Sequence, residues 1–305
     1  MQPSTYDGYR GLVNNHIVPN VGRKRLGQVA PQHLTALYTK LLESGLAPRT
    51  VQYAHAVLHR ALQDAVRWNL IPRNPAALVD APKPRGDKMQ VLDIEQVAAL
   101  LNAARDTPLN ALYVLAITTG MRQGELLGLR WSDIDVGSGT LHVQQQITRT
   151  SAGFEFTEPK TSRGRRAISL PALASHALAH HRKTQAQQRL SAKHEWRDCD
   201  LVFTNANGGP IERQNLVRRS FKPLLAAAKL PSIRFHDLRH TAATLMLAQN
   251  THPKIVQERL GHATISTTMD TYSHVMPAMQ REAADKLDDA LVSALNVASK
   301  AADSA

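Results

Sequence analysis

The first 80 residues place apolar side chains three and four positions apart, which is the spacing that forms one face of a helix. Ser4 and Asp7 stand three residues apart like a capping box and predict a helix start at the beginning of this region. Pro31 and Pro48 predict the starts of two further helices, because proline fits the first helical turn. Asn69, which is followed by prolines, ends the last of them. The pattern therefore predicts a small helical domain.

A polar stretch separates this domain from the rest of the chain. Residues 83–90 are rich in proline, glycine and charge, which is typical of a linker. We predict a helical domain over residues 1–82, this linker, a second domain over residues 91–275 and a helical tail over residues 276–305. The tail carries an amphipathic stripe of leucine and alanine.

Helical spacing returns at the start of the second domain. Asp93, with Gln96 three positions later, predicts the N-cap of a helix. Thr107 and Pro108 predict the start of another helix, and Gly120 predicts its end. The residues between are strongly apolar, so we expect this helix to lie at the centre of the domain.

The middle of the second domain changes to a period of two. Residues 140–148, 154–158 and 166–170 alternate or are rich in β-branched residues, and they predict a three-stranded antiparallel sheet. From residue 211 onward the pattern is again helical. The expected fold class is mainly α with a small antiparallel β-sheet, in a helical domain followed by a mixed α/β domain.

Composition narrows the classes of partner. The chain has 305 residues, a net charge of +12 and a pI of about 10.1, which favours a polyanion such as nucleic acid. Charge alone fits a basic protein without such a partner equally well. Aromatic residues make up 5%, too few to indicate single-strand binding by base stacking. A single cysteine excludes a disulfide framework and a Cys-x-x-Cys zinc site, and no apolar run reaches the ~18 residues of a membrane span.

Five residues offer chemistry for a phosphodiester: Arg122, His236, Arg239, His262 and Tyr272. Arginine forks match the oxygens of a phosphate and stabilise the negative charge of its transition state. A tyrosine hydroxyl can form a covalent phosphoryl intermediate that conserves the energy of the broken bond.

Plainer interpretations exist for each of these residues taken alone. Arg122 and Glu125 fit a surface ion pair one helical turn apart, and a lone tyrosine is usually part of a core. His236 and His240 have the spacing of two zinc ligands, but Asp237 occupies the position where metalloproteases carry glutamate. Zinc is therefore disfavoured, and His240 alone fits a packed or capping residue.

In combination and in this order, the segments 119–125, 236–240 and 260–262 and Tyr272 resemble the tyrosine recombinase, or phage integrase, family of site-specific recombinases. The resemblance extends from Ser4 to about Val275. It implies a catalytic set of Arg122, Lys160, His236, Arg239, His262 and Tyr272, supported by Glu125 and His240. Basic residues in the first domain, the linker and the hairpin after Lys160 are candidates for binding DNA: Arg49, Lys83, Arg85, Arg163 and Arg165. From the residues themselves, Arg163, Arg165 and Arg166 are interpreted as backbone clamps or solvated charges.

The resemblance also implies a mechanism. Tyr272 attacks the scissile phosphorus and forms a 3′-phosphotyrosyl bond, while Lys160 protonates the leaving 5′ oxygen and His236 supports the phosphate or acts as base. A second duplex then reverses the step, so that strands exchange through a Holliday junction without metal, ATP or other cofactor. The resemblance further implies double-stranded DNA as partner, a homotetramer on DNA held by the tail, and a cytoplasmic protein of bacterial or phage origin that acts on the chromosome.

Two alternatives remain open at the level of sequence. A type IB topoisomerase shares this chemistry but relaxes supercoils by itself, and a non-catalytic DNA-binding or regulatory protein would keep the fold without the reaction. The chain also starts directly at the core-binding domain, whereas many integrases carry a preceding module for arm sites. It is therefore either a compact two-domain recombinase or lacks an upstream piece.

Overall fold

The computed structural model describes residues 3–84, 89–159, 162–272, 284–289 and 291–292. The chain divides into two compact units. The N-terminal unit comprises Met1–Lys88 together with Arg149–Gly153, and the catalytic unit comprises Met89–Thr148 and Phe154–Ala305. None of the described helices is long and apolar enough to cross a membrane.

The N-terminal unit is helical, as its sequence predicts. Its helices are α1 (Pro3–Leu12), α2 (Val18–Val21), α3 (Pro31–Glu43) and α4 (Pro48–Arg67), with a π-helical turn at Val13–Ile17 between the first two. Apolar faces of α3 and α4 form the core around Leu34 and Val51. The predicted capping box is wrong, because α1 already begins at Pro3 and the Asp7 carboxylate accepts a hydrogen bond from Arg10 instead.

The catalytic unit is built on a buried helix. Its first helices are α5 (Ile94–Ala104), α6 (Asn110–Thr119) and α7 (Gln123–Leu127). Residues Ala111–Ile117 of α6 are all buried, and α5, α8 (Ala172–Ala192) and α11 (Asp237–Ala248) pack around them. Asp93 caps α5 by accepting from the Gln96 backbone amide at 2.7 Å. However, α6 begins two residues later than predicted, because the Thr107 hydroxyl donates to the Ala104 carbonyl and so completes the end of α5.

The β-structure differs from the predicted single sheet. The strands are β1 (Ile134–Asp135), β2 (Thr140–Val143), β3 (Gln146–Thr150), β4 (Gly153–Thr157) and β5 (Arg166–Ser169). One antiparallel sheet has the order β1-β2-β5, with Leu141 opposite Ile168, and β3 pairs with β4 separately. The predicted first strand is broken at residues 144–145, where the Gln145 side chain donates to the Gly128 carbonyl at 2.8 Å. The chain leaves one sheet there and enters the other.

The C-terminal third is helical. It contains α9 (Arg213–Leu216), a π-helical turn at Val217–Phe221, α10 (Lys222–Ala227), α11, α12 (Pro253–Leu260) and α13 (Ile265–Tyr272). Of the predicted tail, residues 284–289 and 291–292 are described and are helical, and the remaining positions lie outside the described residues. These helices place His236 and Arg239 at the start of α11, His262 just after the end of α12 and Tyr272 at the end of α13.

Candidate active site

The turn between α6 and α7 presents Arg122. Gly120 ends α6 in the left-handed region (φ 63°), and an added Cβ there would lie 2.5 Å from Leu260 Cδ2, so glycine is required. The next residues are extended, and Arg122 becomes the N-cap of α7. Its side chain is 40% exposed, at the N-terminus of a helix, where backbone N–H groups favour an anion.

The buried carboxylate of Glu125 pairs with two arginines. Glu125 is 1% exposed and accepts from the Arg122 amide at 3.0 Å and from Arg122 Nη1 at 2.7 Å. Its second oxygen also accepts from Arg166 Nη2 at 2.9 Å. Burial by itself raises the pKa of Glu125, but attraction by Arg166 and then Arg122 outweighs it and holds this pKa below its usual value. Glu125 therefore stays ionised between two arginines.

Arg239 is fixed by the backbone. It is 3% exposed, and its Nη1 and Nη2 donate to the carbonyls of Gly120 and Leu260, each at 2.7 Å. Burial and the charge of Arg122 lower the pKa of Arg239 to about 9, which still leaves it charged at neutral pH. These two carbonyls lie at the C-terminal ends of α6 and α12. The Arg239 side chain therefore connects the two helix ends that precede Arg122 and His262.

The end of α12 positions His262. Gly261 ends the helix in the left-handed region (φ 68°), and its carbonyl lies 3.5 Å from Arg122 Nη2. His262 follows, and its Nδ1 is 2.8 Å from the hydroxyl of the buried Thr268 on α13. His262 is half-buried because α13 folds back against it.

Tyr272 lies at the end of α13 and is fully buried. Its ring belongs to a small apolar cluster with Leu247 and Leu260, against which Met89 also packs. Its hydroxyl is 2.9 Å from His240 Nδ1. Burial raises the pKa of Tyr272 to about 12, so the hydroxyl is a poor nucleophile until a neighbour accepts its proton.

His240 stands between Tyr272 and His236. The rings of His236 and His240 meet edge to face with centroids 4.9 Å apart. The position of His240 alone fits a packed or capping residue, and the structure adds a contact of its ring with the tyrosine hydroxyl. At the start of the same helix, the Thr241 hydroxyl accepts a hydrogen bond from the Leu92 amide at 3.1 Å.

The two other histidines are neutral in this environment. His236 is exposed as a residue, but desolvation of its ring, followed by repulsion from His240 and Arg239, lowers its pKa to about 4. Desolvation, followed by repulsion from Arg239 and Arg122, lowers the pKa of His262 to about 4 as well. Neutral imidazoles can accept a proton or donate one hydrogen bond, and an incoming phosphate anion would favour their charged forms.

The structure brings together five of the six residues expected to be catalytic: Arg122, His236, Arg239, His262 and Tyr272. Lys160 lies outside the described residues, as does Arg85. The supporting residues Glu125 and His240 each touch a member of this group. Among the DNA-binding candidates, Arg49 and Lys83 are exposed on the N-terminal unit, and Arg163 and Arg165 are exposed on the turn that follows Lys160.

Sequence reasoning missed the role of Arg166. It was interpreted as a clamp or a solvated charge, but its side chain is 6% exposed and bonds to Glu125. The signal was present in the alternation of β5, because Arg166 and Ile168 stand two positions apart and Ile168 is in the core. Arg259 was missed too: its Nη2 donates to the carbonyls of Thr118 and Ser169, so it fastens α12 to α6 and β5.

The chemistry of these side chains suits the binding and activation of a phosphodiester. Two fixed guanidinium groups, two neutral imidazoles and a hydroxyl in contact with a third imidazole surround one region at the ends of α6, α11 and α12. In the described part of the chain, no group of three or more His, Cys, Asp or Glu side chains is arranged to hold a metal ion.

Comparison with known proteins places this geometry in a family context. Residues 90–279 match the phage integrase family. An integrase of Saccharopolyspora erythraea is 28% identical over 93% of this chain and 77% of its own length. A tyrosine recombinase XerC-like protein of Caldanaerobacter subterraneus subsp. tengcongensis is 29% identical over 95% of this chain and 79% of its own length.

Solved structures show the same fold. The Tn1549 transposon integrase, in complex with a circular intermediate DNA, superposes with a TM-score of 0.76 at 22% identity and covers 92% of this chain and 94% of that chain. A lambda integrase dimer bound to a core site has a TM-score of 0.64 at 18% identity and covers 89% of each chain. At these identities the likeness is one of fold, and it includes both units.

Proposed function

We propose, from the premise that this chain belongs to the phage integrase family, that it cleaves and rejoins DNA through a covalent 3′-phosphotyrosyl intermediate at Tyr272. As a member of that family it is a site-specific tyrosine recombinase, a DNA strand-exchange transesterase. The finer mechanism rests on one observation above all. Both arginines and the histidine expected to hold the phosphate meet at the helix end Leu260–His262, next to the buried tyrosine.

Cleavage starts at the Tyr272 hydroxyl. Its oxygen forms a bond to phosphorus while the bond from phosphorus to the 5′ oxygen breaks, so the 3′ end becomes attached to the protein. A general base must lie within hydrogen-bond reach of the proton it removes. His240 Nδ1 meets that condition, so we assign the first transfer of the proton to His240, with the neutral His236 beside it. The departing 5′ oxygen takes a proton from Lys160.

Charge at the phosphorus is stabilised by Arg122 and Arg239, aided by His262. Fixed donors cost no reorganisation when charge builds in the transition state, and they act more strongly where water is excluded. Arg239 satisfies this condition through its two backbone carbonyls, and Arg122 through Glu125. In the reverse step a 5′-hydroxyl of another duplex attacks the phosphotyrosyl bond. The first exchange forms a Holliday junction, and the same exchange on the second strand resolves it. Neither ATP nor a metal is required, because the phosphotyrosyl bond conserves the energy of the broken phosphodiester bond.

Assembly on DNA follows from the rest of the chain. The first 88 residues carry 12 lysines and arginines against 5 acidic residues, which suits a clamp on the duplex backbone. Arg49, exposed and stacked over Tyr53, and Lys83 are contacts we assign to phosphates. In the described part of the tail, Leu287 and Leu291 are exposed. We assign this apolar edge to a neighbouring protomer, which gives a homotetramer on DNA.

A trapped covalent adduct tests the proposal. A pool of nicked duplexes with randomised half-sites loses the 5′ fragment on cleavage and leaves the protein attached. We expect wild-type protein to form the adduct and Tyr272→Phe to form none. Tyr113→Phe is the matched control, because Tyr113 is also buried and hydrogen-bonded, but to Ser220. Adduct formation by Tyr272→Phe would overturn the nucleophile assignment, and no adduct from wild type on any substrate would favour a non-catalytic DNA-binding protein.

A second assay separates recombination from simple relaxation. Captured half-sites are placed as two inverted copies on a supercoiled plasmid. A recombinase gives products with exchanged segments, whereas a topoisomerase-like protein gives relaxed circles whether or not the sites are present.

A further inference from the structure

We propose that Arg166 is a positioning residue for the cleavage step, because its buried guanidinium joins Glu125, the partner of Arg122, to Gly164 and to the helix end that leads to His262. This inference rests on the proposed function of the same site. Arg166 itself is not a catalytic residue, since it faces the supporting carboxylate rather than the exposed side of the site.

Arg166 uses each of its nitrogen atoms on a different segment. Its Nη2 donates to Glu125 Oε2 at 2.9 Å, and Glu125 holds the Arg122 guanidinium. Its Nε donates to the carbonyl of Arg259 at 2.7 Å, three residues before His262. Its Nη1 donates to the carbonyl of Gly164 at 3.0 Å, four residues after Lys160. A planar fork with five donors can serve three directions at once, which the single ammonium of lysine cannot do with the same geometry.

Close packing at Gly261 shows how tightly these segments are joined. A Cβ on Gly261 would lie 2.9 Å from the Arg163 carbonyl and 3.1 Å from Arg166 Nη1. Glycine is required there both for its left-handed backbone and for this approach. The turn after Lys160 and the turn before His262 therefore touch through backbone, with Arg166 between them.

Charge gives Arg166 a second effect on the reaction. Glu125 carries one negative charge and is shared by two arginines, and Arg166 is the stronger of its two electrostatic partners. If Arg166 is removed, the whole carboxylate charge falls on Arg122. Arg122 then offers less net positive charge to the phosphate, and its guanidinium is drawn toward Glu125. If the Glu125 carboxylate is removed as well, the net positive charge that Arg122 offers to the phosphate should largely recover.

The rival explanation is that Arg166 only stabilises the fold as part of a buried ion pair. The two explanations differ in their dependence on substrate charge. A methylphosphonate at the scissile position replaces one phosphate oxygen with methyl and is neutral, so less negative charge develops in its transition state. A defect that acts through Arg122 should be smaller on this substrate, whereas a general loss of folded protein affects both substrates equally.

The experiment compares cleavage rates of Arg166→Met, Arg166→Lys and Arg166→Met with Glu125→Gln on both substrates. Arg189→Ala is the matched control, since Arg189 is an exposed arginine of the same unit and pairs with Asp198. Misplacement of an active-site group by about 1 Å can cost ~10²-fold in rate, and we expect a loss of this order for Arg166→Met on the phosphodiester. We expect a clearly smaller loss on the methylphosphonate, and recovery in the double variant. Arg189→Ala should stay within a few-fold of wild type.

Equal losses on both substrates, with no recovery in the double variant, would overturn the proposal. If Arg166→Met does not fold by circular dichroism, Arg166→Lys decides the question by the same ratio of rates. Both comparisons require that the wild-type protein forms the covalent adduct. If wild type forms none, the proposed function fails, and this result is distinct from any result with the Arg166 variants.

Discussion

The ion-paired arginines of the N-terminal unit and the buried arginines at the site in the catalytic unit are held in opposite ways. Arg10, Arg60 and Arg67 pair with aspartates one helical turn away, and their side chains are 47–74% exposed. Arg239 and Arg166 are nearly inaccessible and donate to backbone carbonyls or to Glu125, across as many as 119 residues of sequence. The first group can move and exchange partners with water, and the second group cannot.

The difference teaches what each set can contribute. Exposed pairs contribute little to stability, and on DNA they exchange a carboxylate for a phosphate, which gives salt-dependent affinity. Buried and fixed guanidinium groups contribute where charge appears during reaction, because their orientation is set in advance. We therefore expect the N-terminal unit to set affinity and the catalytic unit to set rate.

The largest expected effect comes from making the same substitution in both regions. Arg239→Lys removes the fork that bonds to Gly120 and Leu260, and we expect a ~10²–10³-fold loss in single-turnover cleavage at saturating DNA. Arg49→Lys keeps an exposed charge and should leave that rate within a few-fold of wild type. Equal effects of the two variants on rate would break the distinction between the regions.

His240 offers the next largest effect and tests pH dependence inside the catalytic unit. His240→Ala leaves the Tyr272 hydroxyl without its partner, and we expect a ~10²-fold slower cleavage at pH 7. Because the pKa of Tyr272 is raised to about 12, the ionised fraction grows about tenfold per pH unit below that value. The variant should therefore gain rate steeply from pH 8 to 10 while wild type levels off. Parallel pH–rate profiles would exclude His240 as the proton acceptor.

A smaller effect is expected for salt dependence, and it belongs to the N-terminal unit. Arg49→Gln and Lys83→Gln should each weaken DNA binding by a few-fold and reduce the slope of log affinity against log salt by about 1. The rate at saturating DNA should not change. Fluorescence anisotropy titrations at several salt concentrations measure the slope, and an unchanged slope would remove these residues from the interface.

The smallest effect concerns the stability of the catalytic unit at low pH. The pKa of His262 is lowered to about 4 in the folded protein, against 6.5 for an ordinary histidine. Between these values the unfolded chain binds the extra proton, so folding stability is fully present above about pH 6.5 and declines as pH falls toward 4. His262→Asn should flatten this decline in the free energy of unfolding measured by urea titration. Identical pH slopes for wild type and variant would contradict the buried, neutral state of His262.

Much of this molecule was accessible from its sequence. Local signals placed the ends of two helices well: Asp93 caps α5, and Gly120 ends α6. The motifs that resemble the family gave the five candidate residues that meet at the site, and the family itself is confirmed by the match over residues 90–279. These features depend on neighbours within a few positions or on recognisable segments, and both are visible in one chain.

Other features depend on contacts between distant residues. The break between β2 and β3 accompanies a contact of Gln145 with Gly128, and β1 is too short for a periodic signal. The partners of Arg166 lie 41 and 93 residues away, and the hydroxyl next to His240 lies 32 residues away. No local pattern encodes such pairings, so side-chain roles were missed even where the elements were placed correctly.

The packing of Met89 and the Leu92 amide has a consequence for building chimeric recombinases. These residues follow the polar linker, yet Met89 lies against the cluster that holds Tyr272 and Leu92 donates to Thr241 on α11. A graft that fuses a new DNA-binding module at residue 93 would therefore remove contacts to the cluster around Tyr272 and to α11. A junction for exchanging modules should therefore lie before residue 89, so that residues 89–92 stay with the catalytic unit and keep their contacts with it.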